Sequence, residues 1–171
     1  PAGFTITTDV CTYFMKKDGK YPPGMKKQVA EALERTEAAM GMKYGDPDNP
    51  LLVSCRSGAR MSMPGMMETV LNVGLCSKTI PGLIKKTGNE RFVYDAYRRL
   101  ITMYSDVVME KSEGIEPPEG QGIRQQLERL MEAMKAARGY ENDVELTTDD
   151  LKELCEQYKA KVKEVLGKEF P

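Results

Sequence analysis

The sequence predicts an α+β fold, mostly helical, with an α/β portion over residues 1–75 and a helical subdomain over 76–171. Three observations predict it. The β-prone runs are concentrated in the first part; beyond Gly74 one apolar stripe at helical spacing follows another; and Gly, Pro, Asn and Asp punctuate the stretches between them.

Residues 4–8, FTITT, alternate in the manner of a strand. A strand already under way in a chain that opens on Pro1 is expected of a piece of a longer protein. Thr8 or Asp9 caps a short helix carrying Val10, Tyr13 and Phe14, which Asp18 and Gly19 end. After the turn at Pro22, Pro23 and Gly24, a helix is expected over 25–40, with Val29, Leu33, Thr36 and Met40 on one face and Gly41 at the left-handed C-terminal position. The turn-forming loop GDPDNP, 45–50, then delivers the chain into a buried strand at 51–55, LLVSC. Small and Gly-containing stretches follow, RSGAR at 56–60 and SMPGMMET at 62–69, where backbone N–H groups can meet a ligand.

In the second part, Ser77 is expected to cap a short helix ending at Thr87 and Gly88, and Asn89 a long one over 90–110. Val93, Tyr97, Leu100, Tyr104, Val107 and Val108 form the apolar stripe of that helix. A flexible segment over 112–122 separates it from a helix carrying Ile123, Leu127, Leu130, Met131 and Met134, ended by Gly139. Thr147 with Asp149 and Asp150 starts the last helix as a cap with an acidic first turn, complementing the helix dipole. Its buried face is Leu151, Leu154, Cys155, Tyr158, Val162 and Val165, and Gly167 stops it.

Composition narrows the function. Of 171 residues, 25 are Lys or Arg and 26 Asp or Glu, a net charge of −1 that excludes nucleic-acid or membrane binding by bulk positive charge. No apolar run approaches the roughly 18 residues of a membrane span, and no signal-peptide pattern is seen, so an intracellular, cytoplasmic protein is expected, with any organelle signal lying outside this stretch. Histidine is absent, which removes the commonest general base and metal ligand. The four cysteines, Cys11, Cys55, Cys76 and Cys155, are scattered without a Cys-x-x-Cys pair and are expected to be reduced thiols, with no metal site.

Arg56 is the residue best suited to chemistry. A guanidinium at the mouth of a strand forks onto phosphate oxygens, and the small Ser57, Gly58 and Ala59 let a ligand approach the backbone. The bland alternative is a structural ion pair. Gly65, Met66 and Thr69 belong to a second candidate phosphate-facing loop, against the alternative of a loop packed by its own methionines, Met61, Met63, Met66 and Met67. Those methionines lack the histidine or cysteine company of a soft-metal site. Arg98 and Arg99 read as a solvated helix face rather than an anion site.

The run LLVSCRSGAR, 51–60, followed by SMPGMMET, 62–69, resembles the signature of the pyruvate, phosphate dikinase family, L-L-V-S-V-R-S-G-A-R-x-S-M-P-G-M-M-D-T. The likeness continues through the GDPDNP loop, through TGNERFVYDAYRR at 87–99 and through LTTDDLKEL at 146–154. It implies part of an ATP-grasp-like nucleotide-binding domain of a much larger enzyme. Members interconvert ATP, phosphate and pyruvate with AMP, pyrophosphate and phosphoenolpyruvate, passing a phosphoryl group through a phosphohistidine on a separate swivelling domain. The resemblance implies that Arg56 contacts the ATP phosphates and offsets charge developing in transfer, and that Thr69 and the Gly65 loop face them from the other side. It also implies Mg²⁺, held mainly by carboxylates outside this stretch, a homodimer in the full-length protein, and an isolated fragment that is inactive. Cys55 stands where the signature has Val, and Glu68 where it has Asp; the 111–122 segment resembles a surface insertion.

Two other readings stay open on the sequence. Phosphoenolpyruvate synthase-type dikinases usually carry R-S-S-A-T where this chain has RSGAR, and a phosphate requirement discriminates them. A non-catalytic helical interaction module exposing the methionine loop would keep its properties when Arg56 is removed.

Overall fold

A computed structural model describes residues 2–58 and 68–171. The elements run α1 (Thr8–Lys16), α2 (Met25–Met40), β1 (Val53–Arg56), β2 (Thr69–Val73), α3 (Ile80–Thr87), α4 (Glu90–Tyr104), α5 (Ile123–Arg138) and α6 (Thr148–Leu166). The fold is α+β and mostly helical, with one antiparallel two-stranded sheet, β1 against β2.

The core lies where α4, α5 and α6 meet. Val93, Tyr97, Leu100 and Ile101 of α4 pack with Leu127 and Met131 of α5 and with Leu151, Leu154, Tyr158 and Val162 of α6, all buried. Each such side chain contributes about 1.5–3 kcal/mol by leaving water. Val70 of β2, with Leu75 and Ile80, belongs to the same core, so one face of the ribbon is fixed on α4. The apolar stripes read from the sequence for α4, α5 and α6 are those that the packing uses as far as Val162; Val165, expected on the buried face of α6, is exposed at its C-terminal end.

Helix ends follow local chemistry. Gly41, Gly88, Gly139 and Gly167 all take left-handed conformations as C-caps. The Asn89 side chain accepts the Phe92 N–H at 2.9 Å, and Thr147 and Asp150 form a reciprocal capping box at the start of α6. Ser77 does not cap α3. Thr79 stands at the cap position without a side-chain capping bond; its hydroxyl instead ties the preceding turn, accepting the Cys76 N–H at 2.9 Å and donating to the Gly74 carbonyl at 2.9 Å.

Four expectations are corrected. Residues 4–7 form no strand and have no ladder partner among the described residues; Phe4, with Ala2 and Gly3, lies beside Ala32, Thr36 and Ala39 of α2. The strand expected at 51–55 is shifted to Val53–Arg56, and Ser54, Cys55 and Arg56 are exposed rather than buried. The long helix stops being an α-helix at Tyr104 and continues as a π-helical turn, Ser105–Glu110. That turn leaves Val107 and Val108 half-buried and carries Asp106 and Glu110 inward. Arg98 is not solvated: its guanidinium sits 2.7 Å from Asp95, with Arg99 2.9 Å from the same carboxylate.

The 112–122 segment is tied down rather than loose. A 3₁₀ turn, Lys111–Glu113, ends in a left-handed Gly114, and Lys168 pairs with Glu113 at 3.0 Å. The Glu110 carboxylate accepts the Ile123 N–H at 2.8 Å and so caps α5 from the preceding helix.

Candidate functional site

Arg56 ends β1 and pairs in register with Thr69, the first residue of β2, while Cys55 pairs with Val70. Directly opposed residues of an antiparallel pair share a face, and successive residues alternate. Val70 faces the helical core, so Arg56 and Thr69 share the opposite face, and both are exposed. No carboxylate lies within salt-bridge distance of Arg56 among the described residues, and the stretch 59–67 contains no Asp or Glu. The structural ion pair weighed for Arg56 is therefore not made among the described residues.

Just past the ladder the two strands are clamped. The Ser57 N–H donates to the Glu68 carbonyl at 3.0 Å, the Ser57 hydroxyl donates to that same oxygen at 2.7 Å, and the Glu68 N–H donates to the Ser57 hydroxyl at 2.9 Å. Both donors of Ser57 are thereby engaged. Gly58 is exposed, and a Cβ built on it meets nothing within 4 Å among the described residues. Gly65 and Met66, with the rest of the methionine loop, lie outside the described residues.

Sequence reasoning missed the charges behind this end of the ribbon. The Glu68 carboxylate accepts from Lys111 Nζ at 2.9 Å; Lys111 also lies 3.3 Å from Asp106, and Arg124 donates to the same Asp106 oxygen at 2.8 Å. The Glu68 hydrogen bond is the main cause that raises the Lys111 pKa above the ordinary lysine value, against partial burial. Asp106 is buried between two cations. Only the wide spacing of a π turn brings residues five apart onto one side, a geometry no α-helical periodicity reveals. Among the described residues no group of three or more His, Cys, Asp or Glu side chains is arranged to hold a metal ion.

An exposed guanidinium beside a hydroxyl and an open glycine, free of carboxylate partners and backed by a clamped strand end, suits an anionic group. The curated proteins that the chain resembles are dikinases. In particular, the chain is similar over its whole length to proteins named pyruvate, phosphate dikinase, of which it spans less than a fifth. It is 48% identical over its whole length to the pyruvate, phosphate dikinase of Clostridium symbiosum and 44% to that of Giardia intestinalis, spanning 18% of each. It is 43% identical to the rice protein named pyruvate, phosphate dikinase 1, chloroplastic, spanning 17% of it. Scanned against models of protein families, the chain matches none.

Proposed function

We propose that this chain is the ATP-phosphate-binding portion of a pyruvate, phosphate dikinase, composed of an α/β portion over 1–75 and a helical subdomain over 76–171 within an ATP-grasp-like domain. The observation that carries the reading is Arg56: exposed, without a carboxylate partner among the described residues, and in register with Thr69 on the face turned away from the core.

In this reading Arg56 is the catalytic residue of the segment. Its permanent charge meets the phosphate oxygens and offsets charge that develops as the phosphoryl group leaves. Thr69 supplies a hydroxyl from the facing strand, Gly58 lets the phosphates come close to backbone, and Gly65 and Met66, which lie outside the described residues, belong to the segment that the family resemblance has facing the phosphates from the other side. Ser57 serves by holding the strand ends together, its donors being engaged by Glu68. ATP supplies the phosphoryl group, which a phosphohistidine on a swivelling domain of the same protein receives, with phosphate and pyruvate as the other substrates. Mg²⁺ is held by carboxylates outside this chain. The isolated chain does not turn over, and the full-length protein is a homodimer. We place it in the cytoplasm or in an organelle; no helix among the described residues is long and apolar enough to cross a membrane.

The test is to incubate the full-length dikinase with ATP labelled at the β-phosphate and to assay acid-labile label on the protein, with Arg56→Ala as control. The expected result is label on the parent and its loss in the variant. Absence of β-label on the parent while γ-phosphate is released, or β-label undiminished by Arg56→Ala, defeats the reading.

A further inference from the structure

The ribbon end that presents Arg56 has two evident anchors. One is apolar: Val70, buried against α4. The other is the Glu68 carboxylate, which leaves the Ser57–Glu68 clamp and reaches Lys111 at 2.9 Å. Among the described residues no other salt bridge links the ribbon to the helices. We propose that Lys111 is a positioning residue for the phosphate-facing ribbon: by holding Glu68 it fixes the clamp from which Arg56 and Thr69 are presented. This inference rests on the function proposed above.

Three features make Lys111 a support rather than a passing surface contact. Its ammonium is itself held by the buried Asp106, whose side chain is 6% exposed and which Arg124 fixes from the other side. The π-helical turn brings Asp106 and Lys111 together, so Asp106 holds the same ammonium that Glu68 meets. Glu68 touches the two groups that matter on either side, Ser57 through the clamp and Thr69 through the chain, and Thr69 is in register with Arg56. A group supported in this way keeps its geometry because its neighbours are locked in turn.

Position and stability separate here. Lys111 is half exposed, its side chain retaining 51% of its accessible surface, and ion pairs in that setting add little to stability. A displacement of a phosphate ligand by about 1 Å, in contrast, is enough to slow a reaction by up to about a hundredfold. Loss of the pair therefore appears in kcat before it appears in melting temperature.

The experiment compares the full-length dikinase with its Lys111→Met, Glu68→Gln, double and Lys111→Arg variants, measuring kcat, the KM for ATP and the melting temperature. Arg56→Ala is carried alongside. The expected result is a fall in kcat of about tenfold in each single variant and no further fall in the double. KM and melting temperature stay near those of the parent, and Lys111→Arg retains most of the rate. An unchanged kcat in Lys111→Met and Glu68→Gln, while Arg56→Ala abolishes β-phosphoryl transfer, sinks the positioning role and leaves the nucleotide site standing. A lost rate that tracks a lowered melting temperature assigns Lys111 to stability and also sinks it. If Arg56→Ala keeps full transfer, the site reading itself fails and this inference falls with it.

Discussion

Asp150 is buried at the first turn of α6, where its carboxylate accepts from the Thr147 hydroxyl at 2.6 Å and the Thr147 N–H at 3.0 Å, with Arg138 at 3.1 Å. The Thr147 bonds are the main cause that holds its pKa below the usual carboxylate range, with Arg138 adding to them against the opposing effect of burial. A lowered folded pKa gives stability that is complete above the unfolded value of about 3.9 and is lost as pH falls through the folded one. The melting temperature is accordingly expected to drop below about pH 4, and Asp150→Asn to flatten that dependence; an identical acid limb in the variant would refute the assignment. The TTDD pattern at the start of α6 made this residue legible in the sequence. Glu68 and Lys111 were not legible as a pair, because they stand 43 positions apart and meet only through the fold. The role of Arg98 was misjudged for a related reason: its partner Asp95 was in plain view three positions earlier, but its burial against α5 was not.

At the scale of elements, the loop 45–50 and helix α3 show how a motif becomes a contact. The Asp46 carboxylate accepts the N–H groups of Asp48 at 2.8 Å and Asn49 at 3.0 Å, closing the turn, and Lys86 of α3 donates to Asn49 at 3.1 Å. The helix comes so close to the loop that a Cβ on Gly82 would overlap the Pro47 carbonyl oxygen and lie 2.9 Å from that of Asp48. Gly82→Ala is thus expected to destabilise the protein by about 1–3 kcal/mol despite its better helix propensity. Urea unfolding measures this, and a neutral or stabilising result would mean that the loop yields freely. The turn residues of 45–50 announced a loop, whereas only the packed structure reveals that Gly82 is required by it. The π turn belongs to the same category: the stripe of α4 was readable to Leu100 and Tyr104, and the change of helix type beyond it was not.

Across the whole molecule, burial is uneven. Leu154 is fully buried between α4, α5 and α6, whereas α1 buries no residue and α2 only Ala32 and Thr36. Leu154→Ala is expected to cost about 2–5 kcal/mol, while Phe14→Ala on α1, a residue 37% exposed, changes the stability of the full chain by about 0.5 kcal/mol or less. Denaturant titration of the two variants decides it; equal losses would mean that α1 and the three-helix core unfold as one equally packed unit. The uneven packing also explains why the amphipathic pattern of α2 predicted its existence correctly but not its burial, since periodicity reports which face is apolar and not what covers it.

The sequence by itself determined the mostly helical α+β class, the Asn89 and Thr147 caps though not those expected at Thr8, Asp9 and Ser77, the C-terminal glycines, most of the apolar faces of α4, α5 and α6, and the similarity to pyruvate, phosphate dikinases, because each of these is written in short-range spacing or in contiguous motifs. It also singled out Arg56 and Thr69. Only the tertiary structure decided that these two share an outward face, that the donors of Ser57 are engaged by Glu68, and that Glu68 leans on Lys111 and Asp106. Strand register, the turn from α to π geometry and ion pairs between distant positions depend on how elements pack, and packing is a property of the assembled chain rather than of any window along it.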